Sequence, residues 1–102
     1  MENWIRIATL DDIPALGSRV VKTPQGDIAL FRTADDQVFA LHDRCPHKGG
    51  PLSQGMVFGH TVACPLHGWN INLESGEAVA PDVGCTKKLA TRLEAGEVYL
   101  LA

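Results

Sequence analysis

The sequence predicts an all-β fold of many short antiparallel strands. Three observations carry this. Apolar and polar residues alternate over short stretches, such as Trp69-Asn70-Ile71-Asn72-Leu73, the period of a half-buried strand. Turn residues punctuate the chain between these stretches. The 26 residues from His42 to His67 hold three prolines and four glycines, which no regular helix accommodates.

Taken in order, Trp4 to Ala8 reads as a first strand, broken by Leu10-Asp11-Asp12-Ile13-Pro14. Arg19 to Lys22 is valine-rich and extended. Thr23-Pro24-Gln25-Gly26 is a turn, with proline preset for its second position. Asp27 to Thr33 places Ile28 and Leu30 on one face and Ala29 and Phe31 on the other. Ala34-Asp35-Asp36-Gln37 turns the chain into Val38 to His42, completing a hairpin. Val57-Phe58 and Thr61-Val62 flank Gly59-His60, which suits a tight hairpin whose first turn residue has positive φ. The alternating Trp69 to Leu73 strand ends in the turn Glu74-Ser75-Gly76-Glu77. Thr86 to Leu93 carries both a helical and a strand spacing, through Leu89, Thr91 and Leu93. It is too short for a stable isolated helix and lies among strands, so a strand is expected. Val98 to Leu101 is the terminal strand, behind the turn Glu94-Ala95-Gly96-Glu97. Together these imply one sandwich- or barrel-like domain over residues 1–102.

Composition bounds the function. The chain has 102 residues, 45% apolar and 21% charged, with a net charge of −3. That balance argues against nucleic acid or an anionic membrane as the main partner. No signal peptide or membrane span is visible. Three cysteines, an odd number, argue against a disulfide framework. A soluble, cytoplasmic protein is expected. No paired carboxylates, Ser–His–Asp set, phosphate-binding glycine loop or nicotinamide fingerprint stands out, so no catalytic residue is assigned.

The chemistry concentrates in the Gly/Pro-rich window, which contains all four histidines and two of the cysteines. Cys45-Pro46-His47 and Cys64-Pro65-Leu66-His67 are two loops, each offering one thiolate and one imidazole. Soft thiolate with imidazole selects zinc or an iron–sulfur cluster. Zinc fingers usually draw like ligands from one element, with two or more residues between them. Here each loop mixes the two types, and a single residue separates Cys45 from His47. Loops meeting tip to tip would let Cys45 and Cys64 hold one iron and His47 and His67 the other. That is the ligand set of a Rieske [2Fe–2S] centre, in which two imidazoles replace two thiolates. A structural zinc bound by the same four residues is the alternative from another class. A centre with four protein ligands leaves no open position for a substrate, so the chain would transfer electrons or serve a partner that does the chemistry.

On these residues the chain resembles the Rieske iron–sulfur domains. The resemblance extends over essentially the whole length, through Cys45-Pro46-His47-Lys48-Gly49-Gly50-Pro51-Leu52 and Cys64-Pro65-Leu66-His67-Gly68-Trp69. The Lys48 to Ser53 loop, the Trp69 to Glu77 stretch and Gly84-Cys85 are similar to the small subunits of assimilatory NAD(P)H-dependent nitrite reductase. That likeness implies one [2Fe–2S] cluster per chain. It also implies a large partner subunit carrying flavin, an iron–sulfur cluster and sirohaem, where nitrite is reduced to ammonium. The alternative is a free Rieske-type ferredoxin, passing electrons from a flavoprotein reductase to a ring-hydroxylating dioxygenase. High-potential Rieske proteins carry one further cysteine in each loop, joined as a disulfide, and a serine and tyrosine after the second histidine. Here Gly50 and Leu66 stand at the first pair of positions and Trp69 and Ile71 at the second. The resemblance therefore implies a low-potential centre.

The remaining residues receive plainer readings. His42 is expected to end a strand without ligating, His60 to be solvated at a hairpin tip, and Cys85 to be a small buried hydrophobe. Ala80-Pro81-Asp82-Val83 resembles the proline loop that covers Rieske clusters, with Pro81 shielding one side. Lys48 reads equally as an ordinary exposed lysine or as a residue that steers a redox partner. Trp69 is expected to pack under the second loop.

Overall fold

Period-two patterning resolves into three antiparallel sheets in the computed structural model, which describes residues 4–24, 26–46, 49–66 and 68–101. The first sheet contains β1 (Trp4–Thr9), β9 (Thr91–Glu94) and β10 (Glu97–Leu101), in the order β1-β10-β9. The second contains β2 (Ser18–Thr23), β3 (Gly26–Arg32), β4 (Val38–His42) and β8 (Lys88–Leu89), in that order. The third contains β5 (Met56–Phe58), β6 (Thr61–Ala63) and β7 (Asn70–Asn72). The Leu10-to-Pro14 break is a 3₁₀ turn over Leu10–Asp12, and a second such turn spans Leu52–Gln54.

Strand β3 divides the interior. Ile28 and Leu30 face a core with Ala40, Val98 and Leu100. Ala29 and Phe31 face the other way, into a core with Leu41, Leu52, Val62, Ile71, Leu73 and the two cysteines Cys45 and Cys64. All four β3 residues are fully buried. The alternation read from the sequence is thus the alternation of two cores, because successive side chains leave a strand on opposite sides. With this sheet packed on both faces, the first cysteine loop leaves the end of β4, while the second leaves β6 in the third sheet.

The hairpin expectations are met. Val38–His42 pairs with β3 from Ile28↔His42 to Arg32↔Val38. In the β5–β6 hairpin Gly59 has φ 54°, the positive value its turn requires. The Thr23–Gly26 turn includes Gln25, which lies outside the described residues. Thr86 to Leu93 is extended, as expected, but it forms two strands. Lys88 and Leu89 pair with β4, and after Ala90 the chain pairs with β10 in the other sheet. Crossing between sheets is what gives this segment its mixed spacing.

Candidate metal centre

The two cysteine loops are built on one backbone plan. The first follows β4, and the second joins β6 to β7. The Cys45 N–H donates to the Gly50 carbonyl at 2.8 Å, and the Gly49 N–H donates back to the Cys45 carbonyl at 2.8 Å. In the second loop the Cys64 N–H donates to Trp69 at 2.7 Å, and Gly68 donates back to Cys64 at 3.0 Å. The residue four after each cysteine is a glycine, with φ 72° at Gly49 and 71° at Gly68. Only glycine adopts that conformation without steric cost. The sequence reading singled out the Cys/His spacing but not this repeat. The signal was present in the shared interval from Cys45 to Gly49 and from Cys64 to Gly68.

Both cysteines are buried, 2% and 3% exposed, and neither is in a disulfide. The loops touch. A β-carbon at Gly50 would lie 2.6 Å from Leu66 Cδ1 and 3.5 Å from Cys64 Sγ. The first loop therefore has room for Leu66 because residue 50 has no side chain. At the two positions where high-potential relatives carry a disulfide, this chain packs a leucine over a glycine. Asp43 fastens the base of the first loop by accepting from the Ser53 N–H at 2.7 Å and the Ser53 hydroxyl at 2.8 Å.

Two uncrosslinked thiols in one core, at the starts of two matched and touching loops, are a donor pair suited to iron or zinc. The other two expected ligands, His47 and His67, lie outside the described residues, as does Lys48. No described geometry bears on them.

The neighbouring segment partly follows expectation. Gly84 is set against the first loop, its absent β-carbon 3.2 Å from Pro46 Cβ and 3.9 Å from the Trp69 ring. Pro81 is exposed. Trp69 is half-buried and packs against the core that holds the cysteines. Cys85 corrects its expectation, since it is exposed. It forms an isolated bridge with Glu77, lines a surface cavity and belongs to neither core. His42 ends β4.

His60 is also corrected. It sits at the hairpin tip but is half-buried, against Phe39 at a ring distance of 5.2 Å. Its Nε2 lies 3.3 Å from Asp35 Oδ1 and its Nδ1 lies 3.5 Å from Glu74 Oε2. The hydrogen bond to Asp35 raises its pKa above the ordinary 6.5, with Glu74 adding to the effect.

The Rieske [2Fe-2S] domain family matches residues 3–91. A 3-phenylpropionate/cinnamic acid dioxygenase ferredoxin subunit from Photorhabdus laumondii is 35% identical over 97 residues, covering 92% of this chain and 90% of that protein. A crystal structure assigned as an NADPH nitrite reductase small subunit superposes with a TM-score of 0.87 at 27% identity, covering 98% of this chain and 99% of that one. The 4beta-methylsterol monooxygenase of Methylococcus capsulatus is 52% identical over 46 residues. The chain spans only 12% of that monooxygenase, so the likeness there is confined to part of one protein's length.

Proposed function

The chain belongs to the Rieske [2Fe–2S] family, and from that premise we propose that it is the small subunit of an NAD(P)H-dependent nitrite reductase. It is an electron-transfer domain of an oxidoreductase system, with a [2Fe–2S] cluster as its cofactor. In our reading residues 1–102 form one Rieske domain, and Cys45, His47, Cys64 and His67 are the ligands. The bound cluster supplies one-electron exchange.

The chain's own residues do the rest. The paired loop hydrogen bonds hold both cysteine backbones, and Gly50 admits Leu66 at the loop contact. Gly84 and Trp69 pack beside Pro46. With all four ligands supplied by protein, no position is left for nitrite. Nitrite reduction to ammonium would then occur in a large sirohaem- and flavin-containing partner, in the cytoplasm. Among the described residues, no helix is long and apolar enough to cross a membrane.

The observation that supports the nitrite reading is the end-to-end likeness to the NADPH nitrite reductase small-subunit structure, 98% of one chain on 99% of the other. A second reading, a ferredoxin serving an oxygenase, is favoured by the 35% identity to the dioxygenase ferredoxin subunit. Affinity purification of the tagged chain from cells grown on nitrite separates them. Co-purification of a sirohaem protein, with loss of nitrite-dependent growth on deletion, is the expected result. Recovery with an oxygenase and unimpaired growth on nitrite would establish the ferredoxin reading instead. A colourless chain with one zinc would overturn both.

A further inference from the structure

A solvent-open cavity of about 530 Å³ lies beside the first cysteine loop. Arg44, Lys87, His42 and Cys85 line it, together with Cys45 and Pro46 of the loop itself. Among the described residues, no carboxylate lines it. His42 brings a buried Nε2 with no hydrogen-bond partner among the described residues.

The cations here differ from those elsewhere on the chain. Arg6, Lys22, Arg32 and Arg92 are each ion-paired, with Glu97, Asp27, Asp36 and Glu94 in turn. Arg44, Lys87 and the adjacent Lys88 have no ion pair among the described residues. Arg19 on β2 is the remaining described cation without one. Asp43, the carboxylate next to Arg44 in the chain, is turned onto Ser53 and so is engaged elsewhere. A protein of net charge −3 thus keeps a local positive face where its cysteine loop reaches the surface.

We propose that this face docks the acidic surface of the redox partner, with a partner carboxylate entering the cavity between Arg44 and Lys87. The proposal rests on the electron-transfer reading and goes beyond it by assigning the partner's chemistry and the contact residues. A protein surface is the favoured occupant over a free small anion. Two exposed cations hold a single anion weakly in water, whereas an acidic surface presents several carboxylates at once and gains steering as it approaches. A partner seated there lies against Cys45 and Pro46, which keeps the electron path short.

The test uses the cluster-loaded chain reduced with dithionite and mixed in a stopped-flow instrument with iron(III)–EDTA, an anion. One electron leaves the chain and the reagent becomes iron(II)–EDTA. Net charge alone predicts repulsion, so the rate would rise with salt. The local face predicts attraction, so the rate should fall with salt. Lys87→Glu and Arg44→Glu should each slow the anionic reagent severalfold, and together about tenfold. They should speed the cation hexaamminecobalt(III). Arg92→Glu, on β9 of the first sheet and outside the cavity, should change neither by as much.

Hexaglutamate peptide should compete with iron(III)–EDTA, while inorganic phosphate at equal ionic strength should not. A rate that rises with salt, or that ignores both variants, overturns the proposal while leaving electron transfer intact. Equal competition by phosphate overturns the assignment to a protein carboxylate. A chain with no reducible cluster overturns the electron-transfer reading, and the docking face with it.

Discussion

At the scale of single residues, His60 shows how a side chain in a turn acquires a structural task. Its ring lies between Asp35 of the β3–β4 turn and Glu74 of the turn after β7, and against Phe39 of β4. Protonated, it joins the sheet that carries the second cysteine loop to the β3–β4 hairpin. Asp35 is itself held below its ordinary value, first by the Thr33 hydroxyl and also by His60. The sign follows from linkage. A histidine whose folded pKa is raised stabilises fully below its unfolded value near 6.5, and that contribution is lost as pH rises through the raised folded value. Melting temperature measured across this range should therefore fall on the alkaline side. The difference between the native chain and His60→Gln should shrink as pH rises. A difference independent of pH would show that His60 acts only through packing on Phe39. None of this was legible in the sequence, because Asp35 and Glu74 lie 25 and 14 residues away and only the fold brings them to the ring.

At the scale of elements, the two cores make different claims on the cysteine loops. Cys45 and Cys64 share a core with Ile71, Leu52 and Phe31, whereas Leu30 and Ile28 belong to the core on the opposite face of β3. Ile71→Ala and Leu30→Ala each remove a fully buried branched side chain and should cost about 2–5 kcal/mol in stability. Only Ile71→Ala empties the space behind the cysteines. It should release iron on mild heating, before the chain unfolds, whereas Leu30→Ala should lose iron and structure together. Absorbance of the cluster followed beside far-ultraviolet circular dichroism reads both events, and coincident loss in both variants would contradict this division.

The division itself was readable in advance from Ile28 and Leu30 alternating with Ala29 and Phe31, since period-two patterning is a local property. So was the turn at Gly59. The split of Thr86 to Leu93 between two sheets was not. Local spacing says that a segment is extended, while the choice of partner strand depends on β4 and β10 far away in sequence. The exposure of Cys85 was hidden for the same reason, because a lone cysteine has no periodic neighbours to report its face.

At the scale of the whole molecule, the redox midpoint is where composition, fold and site meet. On the proposed ligand set of two thiolates and two imidazoles, the oxidised cluster would be neutral and an added electron would make it an anion. What stabilises that anion is the number of donors turned toward it, set against the charge of the rest of the protein. The chain as a whole is negative by three charges, which opposes the added electron. Ile71 stands where high-potential relatives place a tyrosine, and it is fully buried in the cysteine-bearing core with no donor to offer. Trp69 stands at the serine position with a large ring packed against the same core. Gly50 and Leu66 replace the disulfide with an apolar contact, 2.6 Å from the glycine's absent β-carbon to Leu66 Cδ1. Arg44 and Lys87 act in the opposite sense, but both are exposed and therefore screened by solvent. Ile71 brings no donor into the buried site, and the charge at its rim is screened. The midpoint should fall toward the lower end of the Rieske span of about −150 to +300 mV. Because the rim charges are screened, Lys87→Glu should move it far less than it moves the rate of iron(III)–EDTA oxidation. A spectroelectrochemical titration measures this directly, and a strongly positive midpoint would mean that donors to the cluster come from residues other than these two positions.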